Sequence, residues 1–188
     1  MTNSDNQRDE QRDEQRDEQR DEQRQADDTT APRWVEITRT FDAPAGLIWE
    51  MWSDPEQFSS WYGPVGADVS AEEFDVRVGG RRFVGMKMDT PKGPMEMWFT
   101  GEFRTIVENE HLVYTESLAD ADGNAKTAAE IGMPEGHPTE TTVNVELTEG
   151  HGRTTMVMQH VGVPAGSPGA MGWEMAIDKL EVHVAAAR

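Results

Sequence analysis

Apolar and polar positions change period along this chain, and the changes divide it into elements. Residues 33–41 (RWVEITRTF) are rich in β-branched and aromatic side chains, with Val35 and Ile37 alternating with Glu36 and Thr38, so they predict a strand. Asp42-Ala43-Pro44 breaks that strand and opens a helix, with Asp42 as its expected cap. Ile48 and Trp52 stand four apart, flanked by the pair Leu47 and Met51. Ser53-Asp54-Pro55 repeats the stop-and-cap chemistry and starts a short helix over 56–61, which ends at Tyr62-Gly63-Pro64. From residue 65 to 161 the period is two. Strands are expected near 67–78, 81–88, 95–107, 112–118 and 141–147, and around Met156–His160, with turns at Gly79-Gly80, 91–94 and 149–152. The phase of 81–88 stays open, because placing Lys87 outward also places Phe83 outward.

The C-terminal pattern returns to a helical period. Ser167-Pro168 supplies an N-cap and a first-turn proline. Trp173, Ala176, Ile177, Leu180, Val184 and Ala187 then form one apolar stripe. Met171, Met175 and Val182 occupy the opposite face: either they are merely exposed, or they meet a partner subunit or the segment 119–140. A homodimer is therefore left open. That segment is too long for a hairpin loop, and such loops are usually lids, binding loops or disordered insertions. Six antiparallel strands after two short helices, without βαβ alternation, make the fold class α+β.

Composition adds two facts. The 188 residues carry a formal charge of −19, with 36 Asp and Glu against 17 Lys and Arg. The first 28 residues hold 11 acids and 5 arginines, so residues 29–188 carry −13 of that total. Such a surface repels a nucleic-acid backbone, so no nucleic-acid partner is expected. The second fact is a strict repeat, QRDE, from Gln7 to Arg24. It has no apolar side chain to bury. Its period places Arg on Arg and Asp on Asp at i,i+4, opposing the Asp–Arg pairs at i,i+3. Residues 1–32 are expected to be a disordered tail, either a coding-repeat expansion or a tether, and 33–188 the folded domain. There is no cysteine, no basic–apolar leader and no apolar run of membrane-spanning length, so a soluble cytoplasmic protein without a membrane partner is expected.

Five strings point further: FDAPAGLIWEMWSDPEQFSSWYGP (41–64), DVRVGGRRFVGM (75–86), FTGEF (99–103), LVYTESL (112–118) and GWEMAIDKL (172–180). In this order and spacing they resemble the AHSA-type branch (activator of heat-shock-chaperone ATPase homologues) of the START-like, or SRPBCC, proteins. The resemblance covers residues 34–188 and leaves out the repeat. It implies a helix-grip fold, a curved antiparallel sheet wrapped around a long C-terminal helix. It also implies a cavity between sheet and helix, which relatives use to hold apolar or aromatic molecules. A minority of relatives perform chemistry there, such as polyketide cyclisation. The chaperone activators that gave the branch its name carry an additional N-terminal domain, in whose place this chain has the repeat.

The residues themselves carry no HExxH, no GxSxG and no phosphate-cradling glycine loop. The five histidines never pair at ligand spacing, so neither a metal site nor a cofactor is expected. His160 shares an otherwise apolar face with Met156 and Met158; it reads either as a buried, hydrogen-bonded core histidine or as a polar anchor or acid–base group at a cavity wall. Tyr114 and Glu116 share a face, and a buried Glu116 would need a donor or a raised pKa. Methionine suits an adaptable pocket and also fills ordinary cores. The expected cavity lining is Trp61, Met86, Met97, Phe99, Tyr114, Glu116, Met156, Met158, His160, Trp173 and Ile177, and no catalytic residue is assigned. Binding or carriage of a small apolar or aromatic molecule is the expected function. The alternatives are a cyclase- or hydrolase-like enzyme on a polyketide-like substrate and a co-chaperone that stimulates a heat-shock chaperone ATPase.

Overall fold

The structure is a computed structural model, and it describes residues 33–187. The QRDE repeat and the expected tail lie outside the described residues. Strand β1 (Trp34–Phe41) is followed by helices α1 (Ala45–Ser53) and α2 (Pro55–Trp61). Six strands follow: β2 (Asp68–Phe74), β3 (Arg81–Thr90), β4 (Gly93–Val107), β5 (His111–Ala119), β6 (Glu140–Gly150) and β7 (Arg153–Pro164). Helix α3 (Pro168–Ala186) closes the chain. All strand pairs are antiparallel, in the order β1-β7-β6-β5-β4-β3-β2, so β1 joins the far edge by pairing with β7. This is the expected α+β helix-grip architecture.

The short helices are set by local chemistry. Asp54 caps α2, its Oδ1 accepting from the backbone N–H groups of Glu56 and Gln57 at 2.9 Å, with Pro55 in the first turn. Asp42 does not cap α1. The N-cap is Pro44, which has no side-chain acceptor. Because the proline displaces the helix start by two residues, Asp42 pairs with Arg153 (2.8 Å) instead. The first N–H of α1, on Ala45, donates 2.7 Å to Glu149 of β6, a long-range carboxylate in the place of a local cap. Trp61 at the end of α2 donates 2.7 Å to the carbonyl of Met51, which ties the two helices together.

The sheet's inner face and α3 enclose the core. Trp173, Ala176, Ile177, Leu180 and Val184 form the buried side of α3, as its stripe predicts, whereas Ala187, counted in that stripe, caps the helix end and is exposed. Each large aliphatic side chain removed from water stabilises the fold by about 1.5–3 kcal/mol. At the sheet edge Arg39 reaches α3 and pairs with Glu174 (3.1 Å) and Asp178 (3.4 Å). The open phase of β3 is decided by its outer face. Phe83 does point outward and stacks on Trp98 of β4 with ring centroids 5.1 Å apart, while Arg81 and Lys87 lie over the two rings. Gly85 makes this possible, since a Cβ there would lie 2.5 Å from the Trp98 ring. The segment 119–140 contacts this outer layer: Arg81 donates 3.0 Å to the carbonyl of Gly123, which sits at φ +82°. Asp120 folds the loop on itself by accepting from the backbone of Asp122 and Asn124.

Candidate functional site

Beside the first turns of α3 the core opens into a cavity of about 450 Å³. Its sheet wall comes from two paired strands, with Met86 opposite Met97 and Met88 opposite Met95, and Phe99 one position further along. Pro168, Gly169, Gly172, Trp173, Met175 and Ala176 form the helix wall, while Tyr62, Gly63 and Pro64 bring in the end of α2. Gly172 helps leave this space open: a Cβ added there would meet nothing within 4 Å. Lys179, its pKa lowered by partial burial, holds the α2 end by donating to the carbonyls of Tyr62 (3.2 Å) and Gly63 (3.3 Å). A larger hollow of about 600 Å³ around Asn109, His111 and Glu146 is open and lined mainly by polar groups. It lacks the apolar lining of a small-molecule site.

One end of the cavity is polar. Glu116 of β5 and His160 of β7 both border it and are 6% and 3% exposed. The donor that a buried Glu116 requires is Arg82 of β3, which is fully buried; its Nη1 lies 2.9 Å from Glu116 Oε2. The Tyr62 hydroxyl donates to the same oxygen at 3.1 Å. The guanidinium packs against the rings of Tyr114 (4.5 Å), Phe58 (5.1 Å) and Tyr62 (5.4 Å), a cage that stabilises the cation where water is excluded. Its Nε and Nη2 have no hydrogen-bond partner and neither does the Tyr114 hydroxyl, so the Arg82–Glu116 contact is the main compensation for the buried charge. Burial pushes the pKa values of both Tyr62 and Tyr114 well above the usual phenol range, and the Glu116 charge adds to this, so both phenols keep their protons.

His160 is fixed in one tautomer. Trp173 Nε1 can only donate, and it lies 2.8 Å from His160 Nδ1, which must therefore be the acceptor. The ring proton resides on Nε2 and goes to Thr141 Oγ1 at 2.7 Å, and Thr141 donates 2.8 Å to the backbone carbonyl of Glu116. Desolvation lowers the His160 pKa below its ordinary value; Glu116 opposes the shift and Arg82 adds to it. The histidine is neutral, with both nitrogens occupied.

Of the residues expected to line a cavity, Met86, Met97, Phe99, Glu116, His160 and Trp173 border this one. Trp61, Tyr114, Met156, Met158 and Ile177 sit behind it in the packed core, each at most 1% exposed. Their parity on strand or helix is inward, but the surrounding core packs over them. Two of the groups that matter most were missed, Arg82 and Tyr62. The signal for Arg82 was available: if Lys87 and Phe83 face outward, Arg82 shares the inner parity of Val84 and Met86. Among the described residues, no cluster of His, Asp and Glu has metal-binding geometry, and no helix is long and apolar enough to cross a membrane.

The comparison with known families agrees with this architecture. The model of a family described as "Activator of Hsp90 ATPase homolog 1-like protein" matches residues 42–185. The chain belongs to this family. Among solved structures, this family member is similar to an Arthrobacter aurescens protein (25% identity, 80% of this chain and 85% of that one, TM-score 0.64). It is also similar to a Chromobacterium violaceum protein (21%, 82% and 98%, TM-score 0.65). A third similar structure is the AHSA1 protein of Silicibacter pomeroyi (19%, 82% and 99%, TM-score 0.63). No curated protein matches the chain.

Proposed function

We propose that this family member binds and carries a small apolar or aromatic molecule in the cavity between the sheet and α3. The observation that carries the reading is the half-open space of about 450 Å³ beside Gly169 and Gly172, walled by methionines and aromatic rings and polar at one end. This volume lies within the roughly 300–1,000 Å³ of small-molecule sites, and an apolar wall with few polar groups is their usual character. Four unbranched methionines on paired strands give a wall that can adjust to its contents. A role for His160 as acid–base catalyst is disfavoured, because neither ring nitrogen is free to exchange a proton with a molecule in the cavity.

The test is titration of the full chain with the neutral dye N-phenyl-1-naphthylamine, followed by fluorescence. One saturable site per chain is expected. Gly172→Phe, which places a ring in the open space, should abolish binding while the far-ultraviolet circular dichroism stays unchanged. Undiminished binding to the folded variant would sink the reading.

A further inference from the structure

The polar end of the cavity has an unfilled position. A carboxylate offers about four acceptor positions on two oxygens. Glu116 Oε2 takes the Arg82 guanidinium and the Tyr62 hydroxyl. Oε1 receives neither. His160 Nε2 lies 4.0 Å from it, beyond hydrogen-bond distance, and the proton there is committed to Thr141. Glu116 is more than nine-tenths buried yet borders the cavity, so a molecule held there can reach an oxygen that still has room for a donor. Building on the cavity-binding reading above, we infer that the ligand is an apolar molecule carrying one neutral O–H or N–H group, which donates to Glu116 Oε1.

The charges around Glu116 select neutral donors over ions. Arg82 already balances the carboxylate, so an ammonium group would lose its hydration without meeting a net opposite charge. A carboxylate ligand would face Oε1 itself. Arg82 cannot offer it a docking point, since the guanidinium is fully buried and packs among the rings of Phe58, Tyr62 and Tyr114. A neutral hydroxyl gains a charge-assisted bond, while its apolar body lies along the methionine wall.

Three probes of one shape test this on the full chain: 2-naphthol, naphthalene and 2-naphthoate, each competed against N-phenyl-1-naphthylamine near neutral pH. The naphthol should bind about 10- to 100-fold more tightly than naphthalene, as expected for a hydrogen bond to a charged group, and naphthoate most weakly. In the double variant Arg82→Met with Glu116→Leu, which removes both charges together, the preference for the hydroxyl should fall to near one while naphthalene still binds. Glu116→Gln, closer in shape, should reduce the preference at least severalfold and serves if the double variant does not fold. Equal affinities for naphthol and naphthalene would overturn the inference and leave the cavity reading intact, as would naphthoate binding tightest. A hydroxyl preference that survives in the folded double variant assigns the donor to another acceptor and also overturns it. If neither the dye nor any of the three probes binds, both readings fail together.

Discussion

The two ends of helix α3 face the same sheet and have opposite characters. From Trp173 onward the helix presents Ile177, Leu180 and Val184, and the space is filled to the point that each is at most 1% exposed. Over Pro168–Gly172 it presents Pro168, Gly169 and Gly172 to the cavity, with Met171 turned out to solvent, and the space stays open. Side-chain volume on the helix differs sharply across this boundary. Trp173 stands at the junction, stacked on Trp52 of the core with centroids 6.0 Å apart and donating to His160 at the cavity. Packing holds the fold at one end of the helix, and withheld packing leaves a binding space at the other.

The polar end of the cavity gives the largest expected effect. Glu116→Leu alone strands a buried guanidinium and should destabilise the domain by about 3–5 kcal/mol, whereas adding Arg82→Met should recover most of that loss. Urea unfolding of the two variants decides it; a double variant no more stable than the single one would show that the pair is not coupled. Next comes the packed end of α3. Ile177→Ala should cost about 2–5 kcal/mol. Met175→Ala, at the half-open cavity face, should cost well under 1 kcal/mol as an exposed substitution. Similar losses at both positions would erase the contrast between the ends.

Protonation offers a third probe. The folded-state pKa of His160 is depressed, so the folded protein binds fewer protons than the unfolded chain below the unfolded value of about 6.5. The stabilising effect is present above that pH and is lost as pH falls through the lower folded value. His160→Gln should therefore flatten the fall in melting temperature between about pH 6.5 and pH 5, and an unchanged slope would assign it to another group. The smallest effect is expected at Gly172→Ala. It should stabilise the helix by up to about 1 kcal/mol and weaken dye binding, because the methyl enters the cavity. A gain in both stability and affinity would contradict the assignment of this glycine to the open space.

Much of the candidate site was legible residue by residue, but not as an arrangement. Alternation placed Met97, Phe99, Glu116 and His160 on inward faces and left the phase of Met86 open, and the helical stripe placed Trp173 with them. It placed Met156, Met158, Tyr114 and Ile177 inward equally well, because period alone reports which way a side chain points and not whether something covers it. Met175 shows the converse. Its place opposite the apolar stripe suggested exposure or a partner, and it proves to border the cavity, since the wall curves past the buried face of α3.

The sequence by itself determined the order of elements, the cap at Asp54, the buried stripe of α3 and the family. Each of these is written in local period or in strings of neighbouring residues. The tertiary structure alone decided that Arg82 answers Glu116 across 34 positions of chain, that His160 is pinned as a neutral tautomer between Trp173 and Thr141, and that Glu149 takes the capping position Asp42 was expected to fill. It also decided where the interior is left empty. Such pairings depend on which strands become neighbours and on the volume of the side chains facing them, and no periodicity within one segment encodes what lies opposite it.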